Sequence, residues 1–226
     1  MRYLINNPDK VLELLGEHLV MAGTALVISI LIALPLSVLL AKWPRLATLV
    51  MGVLGALYTI PSIALLILLL PIFGLNQRSV IVALIIYTQI ILVRNLVAGL
   101  NGVPAAMLEA AKGMGMNGWQ RWSRVQLPLA MPVILAGVRL AMVVAIAIAT
   151  IGAKFGAGGL GTLLFEGIAQ NRYDKILAGS LVVALTALIA NALLLRLESR
   201  FTVEKRIARA ARRQRIQAGN EAAQVA

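Results

Sequence analysis

The feature that most restricts the fold of this chain is the length of its uncharged stretches. Residues 19–41 run for 23 positions without a charged side chain, and residues 46–77 contain no charge either. A helix rises about 1.5 Å per residue, so about 20 apolar residues cross a hydrocarbon layer about 30 Å thick. Because backbone in lipid must satisfy its own hydrogen bonds, such stretches form helices. The sequence therefore predicts an all-α membrane protein.

Five transmembrane helices are predicted, joined by short polar turns within one transmembrane domain at residues 19–200. Hydrophobic residues make up 60% of the chain and charged residues 13%, against roughly 25% charged in soluble domains. This composition leaves no room for a separate soluble domain. The predicted spans are residues 19–41, 46–73, 79–100, 129–152 and 176–195.

Residues 1–18 precede the first span and mix acidic residues with leucines. Asp9, Glu13 and Glu17 stand where a secretory signal would be basic, and the apolar run that follows is too long for a signal peptide. We expect an amphipathic lead-in at the membrane surface, retained in the mature chain.

Basic residues at two places predict the orientation of the chain. Lys42 and Arg45 flank the first turn beside Trp43, and residues 196–226 hold eight Arg or Lys against three Glu. Basic loops mark the cytoplasmic side, so the N-terminus is predicted outside and the basic tail at 201–226 inside. We expect this charge to meet anionic lipid, with no nucleic-acid partner.

Pro61 lies in the middle of the second span, so this span is predicted to be kinked or broken there. A proline inside a helix frees a backbone carbonyl, which in a membrane must be met by a side chain, water or a neighbouring helix. The break is either a packing kink or a polar bend that lines a passage. The polar candidates for a passage are Tyr58, Thr59, Ser62, Tyr87, Gln89 and Thr150.

Three basic residues lie in or next to spans. Arg94 is near the end of the third span, where we expect it to extend to the interface. Arg139 lies about ten residues into the fourth span, where it needs a protein or water partner and has a structural or a transport role. The role of Lys154 is left open.

Catalytic and cofactor chemistry have little support in the sequence. Gly156, Gly158 and Gly161 satisfy G-x-G-x-x-G, but a membrane helix rather than a strand precedes them, so a glycine-rich turn followed by a short helix is predicted. The chain has no cysteine, its predicted spans have no acidic residue, and His18 is expected near the surface. We expect no catalytic residue, metal or cofactor in this chain.

The polar segment at residues 104–128 is predicted to fold as helix, bend, helix. Pro104 can open the first helix, and Gly115 weakens it. Asn117 with Gln120 three positions later has the form of a capping box that starts a second helix, which is expected to end before Pro128.

This segment resembles the EAA loop of ABC-importer permeases, a family of binding-protein-dependent transporters. The matching positions are Glu109, Ala110, Ala111, Gly115, Leu127 and Pro128, with Val125 a conservative departure. The resemblance implies about five transmembrane helices with cytoplasmic coupling helices that dock on a separate ATPase dimer, where ATP is hydrolysed. It assigns coupling to Glu109, Ala110, Ala111, Gly115, Trp119, Leu127 and Pro128.

Further stretches resemble permeases for osmoprotectants such as glycine betaine, carnitine and choline. These are residues 109–116, residues 127–139 and the Gly-Ala-Gly-Gly-Leu-Gly run at 156–161. The resemblance implies a bacterial or archaeal cytoplasmic (inner) membrane, a substrate-binding protein, and a second permease copy or a paralogue. Tyr58 and Tyr87 could then guide a quaternary ammonium by cation–π attraction. A permease for methionine or another amino acid, and a passive channel, are the alternatives.

Overall fold

The computed structural model describes residues 2–201, and within this range every regular element is helical. A π-helical turn at Trp122–Gln126 and a 3₁₀ turn at Ala153–Phe155 flank the eighth helix. The α-helices are α1 (Arg2–Asn6), α2 (Pro8–Lys42), α3 (Pro44–Thr59), α4 (Ser62–Phe73), α5 (Gln77–Asn101), α6 (Ala105–Gly113), α7 (Gly118–Arg121), α8 (Leu127–Gly152), α9 (Gly161–Ala169) and α10 (Tyr173–Phe201).

The helices that could cross a membrane confirm the predicted all-α membrane fold. Among residues 2–201, α2, α5, the continuous segment Gly118–Phe155 and α10 are each long and apolar enough to span. The pair formed by α3 and α4 makes a fifth span if its two bent halves are counted together. The count is therefore four or five spans, depending on whether this bent pair crosses the membrane.

The bend between α3 and α4 confirms the predicted break at Pro61. The two helix axes differ by 95°, and Ile60 and Pro61 form the break between them. The hydroxyl of Tyr87 on α5 donates a hydrogen bond to the carbonyl of Ile60. A neighbouring side chain therefore satisfies a carbonyl that the broken helix leaves free.

Helix α5 is the centre of the bundle. Two thirds (67%) of its most apolar window is buried, against 11% for α10, which therefore lies at the periphery of the bundle. Met21 and Ala25 of α2 and Ile146 of α8 pack with Leu84 in one apolar cluster. A second cluster continues towards the other end of the helix, where Leu92 and Leu96 are buried.

Small residues let α5 and α8 approach closely, as the Ala and Gly content of the fourth span predicts. A Cβ built on Gly152 would lie 2.5 Å from Cγ1 of Val80. In lipid, where apolar side chains gain little by leaving the solvent, such backbone contact drives helix association.

Helix α2, which contains the predicted first span, extends beyond that span at its N-terminal end. Helix α2 begins at Pro8 and passes residue 18 without a break, so the lead-in and the span share one helix. Val11 and Leu14 are buried in a cluster with Leu163 of α9. The boundary at residue 18 stays a prediction, and the basic tail, apart from Phe201, lies outside the described residues.

Candidate coupling segment and passage

The segment after α5 folds as the sequence predicts, as helix, bend, helix. Helix α6 ends at Gly113, and α7 begins after Asn117. The Asn117 side chain accepts a hydrogen bond from the Gln120 backbone N–H at 2.9 Å, and the Gln120 side chain accepts one from the Asn117 N–H at 2.9 Å. Both bonds of the predicted capping box are therefore present.

The bend depends on Gly115, whose φ is +79°. Residues with a Cβ rarely adopt this left-handed conformation. The N–H of the following Met116 donates to the Ala111 carbonyl at 3.1 Å, which closes the end of α6. No atom lies within 4 Å of a Cβ built on Gly115, so its surroundings within the chain are open.

The predicted coupling residues divide between an exposed and a packed group. Glu109, Ala110 and Gly115 are exposed, and Trp119 is 70% exposed. Ala111 is buried, and Leu127 and Pro128 are half-buried. The segment therefore offers a surface with an exposed indole, while its other members hold it on the bundle.

The prediction that the second helix ends before Pro128 is wrong. The backbone stays helical from Gly118 through the π-helical turn at Trp122–Gln126 and into α8. A proline removes one helical hydrogen bond and crowds the carbonyl four residues earlier, and a turn of π-helix changes the hydrogen-bond pattern at this point. The coupling segment and the fourth span are one continuous element.

The sequence does not reveal a cavity of about 830 Å³ between α2 and α7. Lys42, Arg121 and the ring of Trp119 line it, and Trp119 stacks on Trp122 at 5.1 Å between ring centroids. The indole N–H of Trp122 is buried without a hydrogen-bond partner among the described residues. This cavity separates the exposed end of α7 from α2.

Four of the six predicted passage residues lie together at the break between α3 and α4. The rings of Tyr58 and Tyr87 meet edge to face, with 5.6 Å between their centroids. Thr59 and Ser62 stand on either side of Ile60 and Pro61. The structure thus brings these polar groups to one place, next to the Ile60 carbonyl that accepts the Tyr87 hydrogen bond.

Gln89 and Thr150 are placed elsewhere. The Gln89 side chain is buried and donates to the Ser29 carbonyl of α2 at 3.1 Å, while the hydroxyls of Ser29 and Thr88 lie 2.7 Å apart. Thr150 donates to the carbonyl of Ile146 in its own helix at 2.9 Å. Their recorded hydrogen bonds are thus structural ones, between α2 and α5 for Gln89 and within α8 for Thr150.

Arg94 shares a cleft with Tyr58, while its expected reach to the membrane interface stays a prediction. It is exposed, and it borders a cleft of about 370 Å³ together with Tyr58 and Asn95. The sequence carried a signal for this arrangement, because Tyr87 and Arg94 are seven residues apart and share a helix face. The complete lining is Gly55, Tyr58, Ile90, Ile91, Arg94, Asn95, Leu140 and Val144.

Of the two roles left open for Arg139, the structure shows a structural one. Its Nε donates to Glu198 of α10 at 3.0 Å, and its Nη1 donates to Asn191 at 3.2 Å. These bonds join α8 to α10. Lys154 is exposed, with its ammonium 5.9 Å from the centre of the Phe165 ring.

The glycine-rich turn before α9 is confirmed, and it packs against α2. Gly158 and Gly159 have φ of +74° and +76°, and the Gly159 N–H donates to the Glu17 carboxylate at 2.8 Å. His18 is fully buried within the bundle, with Nε2 3.2 Å from the Ile146 carbonyl, and its expected place near the membrane surface stays a prediction. The partners of Glu17 and His18 are more than 100 residues away in sequence, so local patterns could not show them.

Comparison with known proteins identifies the family. The family model described as binding-protein-dependent transport system inner membrane component matches residues 24–203. The chain therefore belongs to this family, and it is an inner-membrane permease component of an ABC importer.

Relatives with a described role resemble the chain over most of its length. The carnitine transport permease protein OpuCB of Listeria monocytogenes is 39% identical over 82% of this chain and 85% of its own length. The osmoprotectant import permease protein OsmW of Salmonella typhimurium is 37% identical over 88% and 94%. The glycine betaine/carnitine/choline permease protein OpuCB of Bacillus subtilis is 35% identical over 89% and 93%.

Solved structures show the same fold at lower identity. The MetNI methionine ABC transporter in an inward-facing conformation gives a TM-score of 0.75 at 22% identity, covering 83% of this chain and 94% of that chain. An amino acid ABC transporter solved with histidines gives a TM-score of 0.72 at 19% identity, covering 88% and 97%. These two structures support the fold and leave the solute open.

Proposed function

We propose that this permease forms the passage for a compatible solute such as glycine betaine, carnitine or choline. The observation that carries the proposal is the sequence identity of 35–39% to permeases whose names state these solutes or osmoprotectants in general. This identity covers more than four fifths of the chain. The paired tyrosines at the break between α3 and α4 are suited to such solutes, because an aromatic face attracts a quaternary ammonium.

The proposed partners follow from the family and from the exposed segment. Residues 109–119 would dock on a separate ATPase dimer through Glu109, Ala110, Gly115 and Trp119, and all ATP hydrolysis would take place in that dimer. A substrate-binding protein would deliver the solute from outside. A second copy of this chain, or a paralogue, would complete the passage, and no cofactor is proposed for this chain.

The proposed orientation places the N-terminus outside and the C-terminus in the cytoplasm. It is supported by the basic turn at Lys42 and Arg45 and by the basic tail. The coupling segment then faces the cytoplasm, where the ATPase is found. A passive channel would not need such a segment.

Reconstitution tests the proposed solute class. We would place the permease with its ATPase and binding protein in proteoliposomes and measure ATP-dependent uptake of labelled glycine betaine, carnitine, choline and methionine. We expect uptake of one or more of the three quaternary ammonium compounds and none of methionine. ATP-dependent uptake of methionine alone would replace the proposed solute class with amino acids, and uptake without ATP would favour a channel.

A further inference from the structure

We infer that the cleft between α3, α5 and α8 is a subsite for a zwitterionic trimethylammonium solute. Arg94 would bind the carboxylate of the solute, and the ring of Tyr58 would bind its ammonium group. The inference rests on the proposed function and makes it narrower, because it favours solutes that carry both charges.

One face of α5 carries residues that line the cleft. Tyr87, Ile90, Ile91, Arg94 and Asn95 follow the spacing of one helical face: the last four line the cleft, and Tyr87 contacts Tyr58. Tyr87 and Arg94 are two turns apart, which is about 10 Å along the axis. Tyr58, which packs against Tyr87, lines the cleft together with Arg94, so a small solute in the cleft would have an aromatic ring and a guanidinium around it.

The cleft beside this face of α5 has room for a solute. The cleft has a volume of about 370 Å³, which is sufficient for a solute of this size. Gly55 lies one turn before Tyr58 on α3, and a Cβ built on it would meet no atom within 4 Å. A larger residue at position 55 would therefore enter the cleft without disturbing the packing of the helix.

The positive charge of Arg94 is not matched by a nearby acidic residue in the described part of the chain. Arg94 forms no ion pair with any residue in the range 2–201, whereas Arg139 pairs with Glu198. None of the described residues that line the cleft is acidic. Arg94 is exposed near the end of its helix, so its guanidinium is available to a ligand in the cleft. A solute carboxylate would supply the missing anion, with the two-pronged geometry that guanidinium prefers.

Tyr58 supplies an aromatic ring at the cleft. Tyr58 is 43% exposed and lines the cleft, while its ring meets that of Tyr87 edge to face. Tyr87 is itself held by its hydrogen bond to Ile60. A held aromatic ring is well suited to a trimethylammonium group, which cannot donate a hydrogen bond and binds through its dispersed charge.

The cleft is predicted to bind zwitterionic solutes and choline with different affinities. Glycine betaine and carnitine carry a carboxylate, whereas choline carries a hydroxyl and a net positive charge. Arg94 would attract the first two and repel the third. Replacing Arg94 by a neutral residue should therefore weaken the binding of the zwitterions and should leave choline binding unchanged or tighter.

Saturation-transfer NMR on the permease–ATPase complex in lipid nanodiscs, without binding protein, can measure these affinities directly. The probes are glycine betaine, carnitine and choline, titrated against the wild type and against Arg94→Gln, Arg94→Lys and Tyr58→Leu. We expect Arg94→Gln to weaken glycine betaine and carnitine at least about tenfold, as for loss of a charge-assisted pair. Arg94→Lys should recover part of this loss, and Tyr58→Leu should weaken all three solutes.

Arg78→Gln is the matched control, because Arg78 is exposed at the start of the same helix and does not line the cleft. It should leave all three affinities unchanged. Gly55→Leu should block all three solutes by filling the cleft. Equal weakening of zwitterions and choline by Arg94→Gln, or no change in either, would overturn the subsite. Wild-type uptake in proteoliposomes tests the proposed function separately, since uptake could persist with no selective effect at Arg94.

Discussion

Two arginines in transmembrane helices show how the surroundings of a residue decide its role. Arg139 has its charge matched by Glu198 and its hydrogen bonds extended by Asn191. Arg94 has open space in front of it and no ion pair among residues 2–201. The sequence treats both as single cations within apolar helices, and only their neighbours separate a structural role from a proposed binding role.

This contrast predicts different stabilities for the two alanine variants. Arg139→Ala removes a half-buried ion pair between α8 and α10, so it should lower the free energy of unfolding by about 1–3 kcal/mol, between the values for surface and buried pairs. Arg94→Ala should leave it within about 0.5 kcal/mol. Thermal unfolding of the purified permease in detergent measures both, and equal losses would contradict the assignment.

Gly115 combines an unusual backbone conformation with a proposed role in coupling. Its φ is +79°, and a Cβ added to it would meet no atom of this chain within 4 Å, so a side chain there would be free to meet the proposed docking partner. We predict that Gly115→Asp leaves the permease inserted in the membrane but lowers ATP-driven uptake at least about tenfold, because it places a charge at the partner contact. The measurements are ATPase retention after solubilisation and uptake in vesicles.

Gly115→Asn is the control for this variant, because asparagine has the same shape, tolerates a positive φ and carries no charge. It should retain more uptake than Gly115→Asp. Glu109→Ala should be milder as well, because Glu109 is exposed and its removal leaves no buried group without a partner. Normal uptake by Gly115→Asp would mean that coupling takes place elsewhere.

At the scale of elements, the sequence predicts what is encoded locally. The break at Pro61, the capping box at Asn117 and the bend at Gly115 each depend on residues within a few positions of one another, and the structure confirms all three. The continuation of helix past Pro128 was missed, since a π-helical turn has no clear sequence signal. The burial of His18 was missed because it depends on a carbonyl in a distant helix.

The close contact of α5 and α8 gives a prediction for packing. Gly152→Leu would force Val80 away and separate the two helices, so it should destabilise the permease by several kcal/mol or prevent insertion, as overpacked cores do. Gly23→Ala on α2 is the control, because no atom lies within 4 Å of its added Cβ. Membrane levels and thermal unfolding of both variants test this, and a stable Gly152→Leu permease would show that the contact can relax.

For the whole molecule, the bent pair decides the topology. If α3 and α4 together cross the membrane, the described helices give five spans and the termini lie on opposite sides. If the pair enters and leaves on one side, the count is four and both termini lie on the same side. Local charge supports the first arrangement, because Trp43 lies in a basic turn and Gln77 begins α5 after an almost uncharged loop.

Cysteine labelling separates the two arrangements, and the chain has no native cysteine to interfere. We expect Trp43→Cys and Gly118→Cys to react only with reagent that reaches the cytoplasmic side, and Gln77→Cys to react from outside. Labelling of Trp43→Cys and Gln77→Cys from one side would show that the pair is re-entrant. Labelling of Gly118→Cys from outside intact cells would reverse the orientation.

The unbroken helical path from Gly118 to Phe155 has a mechanical consequence. Its 38 residues extend over about 57 Å, so one continuous helical segment joins the part proposed to meet the ATPase to the start of the glycine-rich turn. A tilt of about 10° around its midpoint would displace each tip by about 5 Å in opposite directions. Gly159, four residues beyond this segment, donates a hydrogen bond to Glu17, so movement of the far end would be passed to α2. A tilt of this segment would therefore narrow one end of the proposed passage while it widens the other.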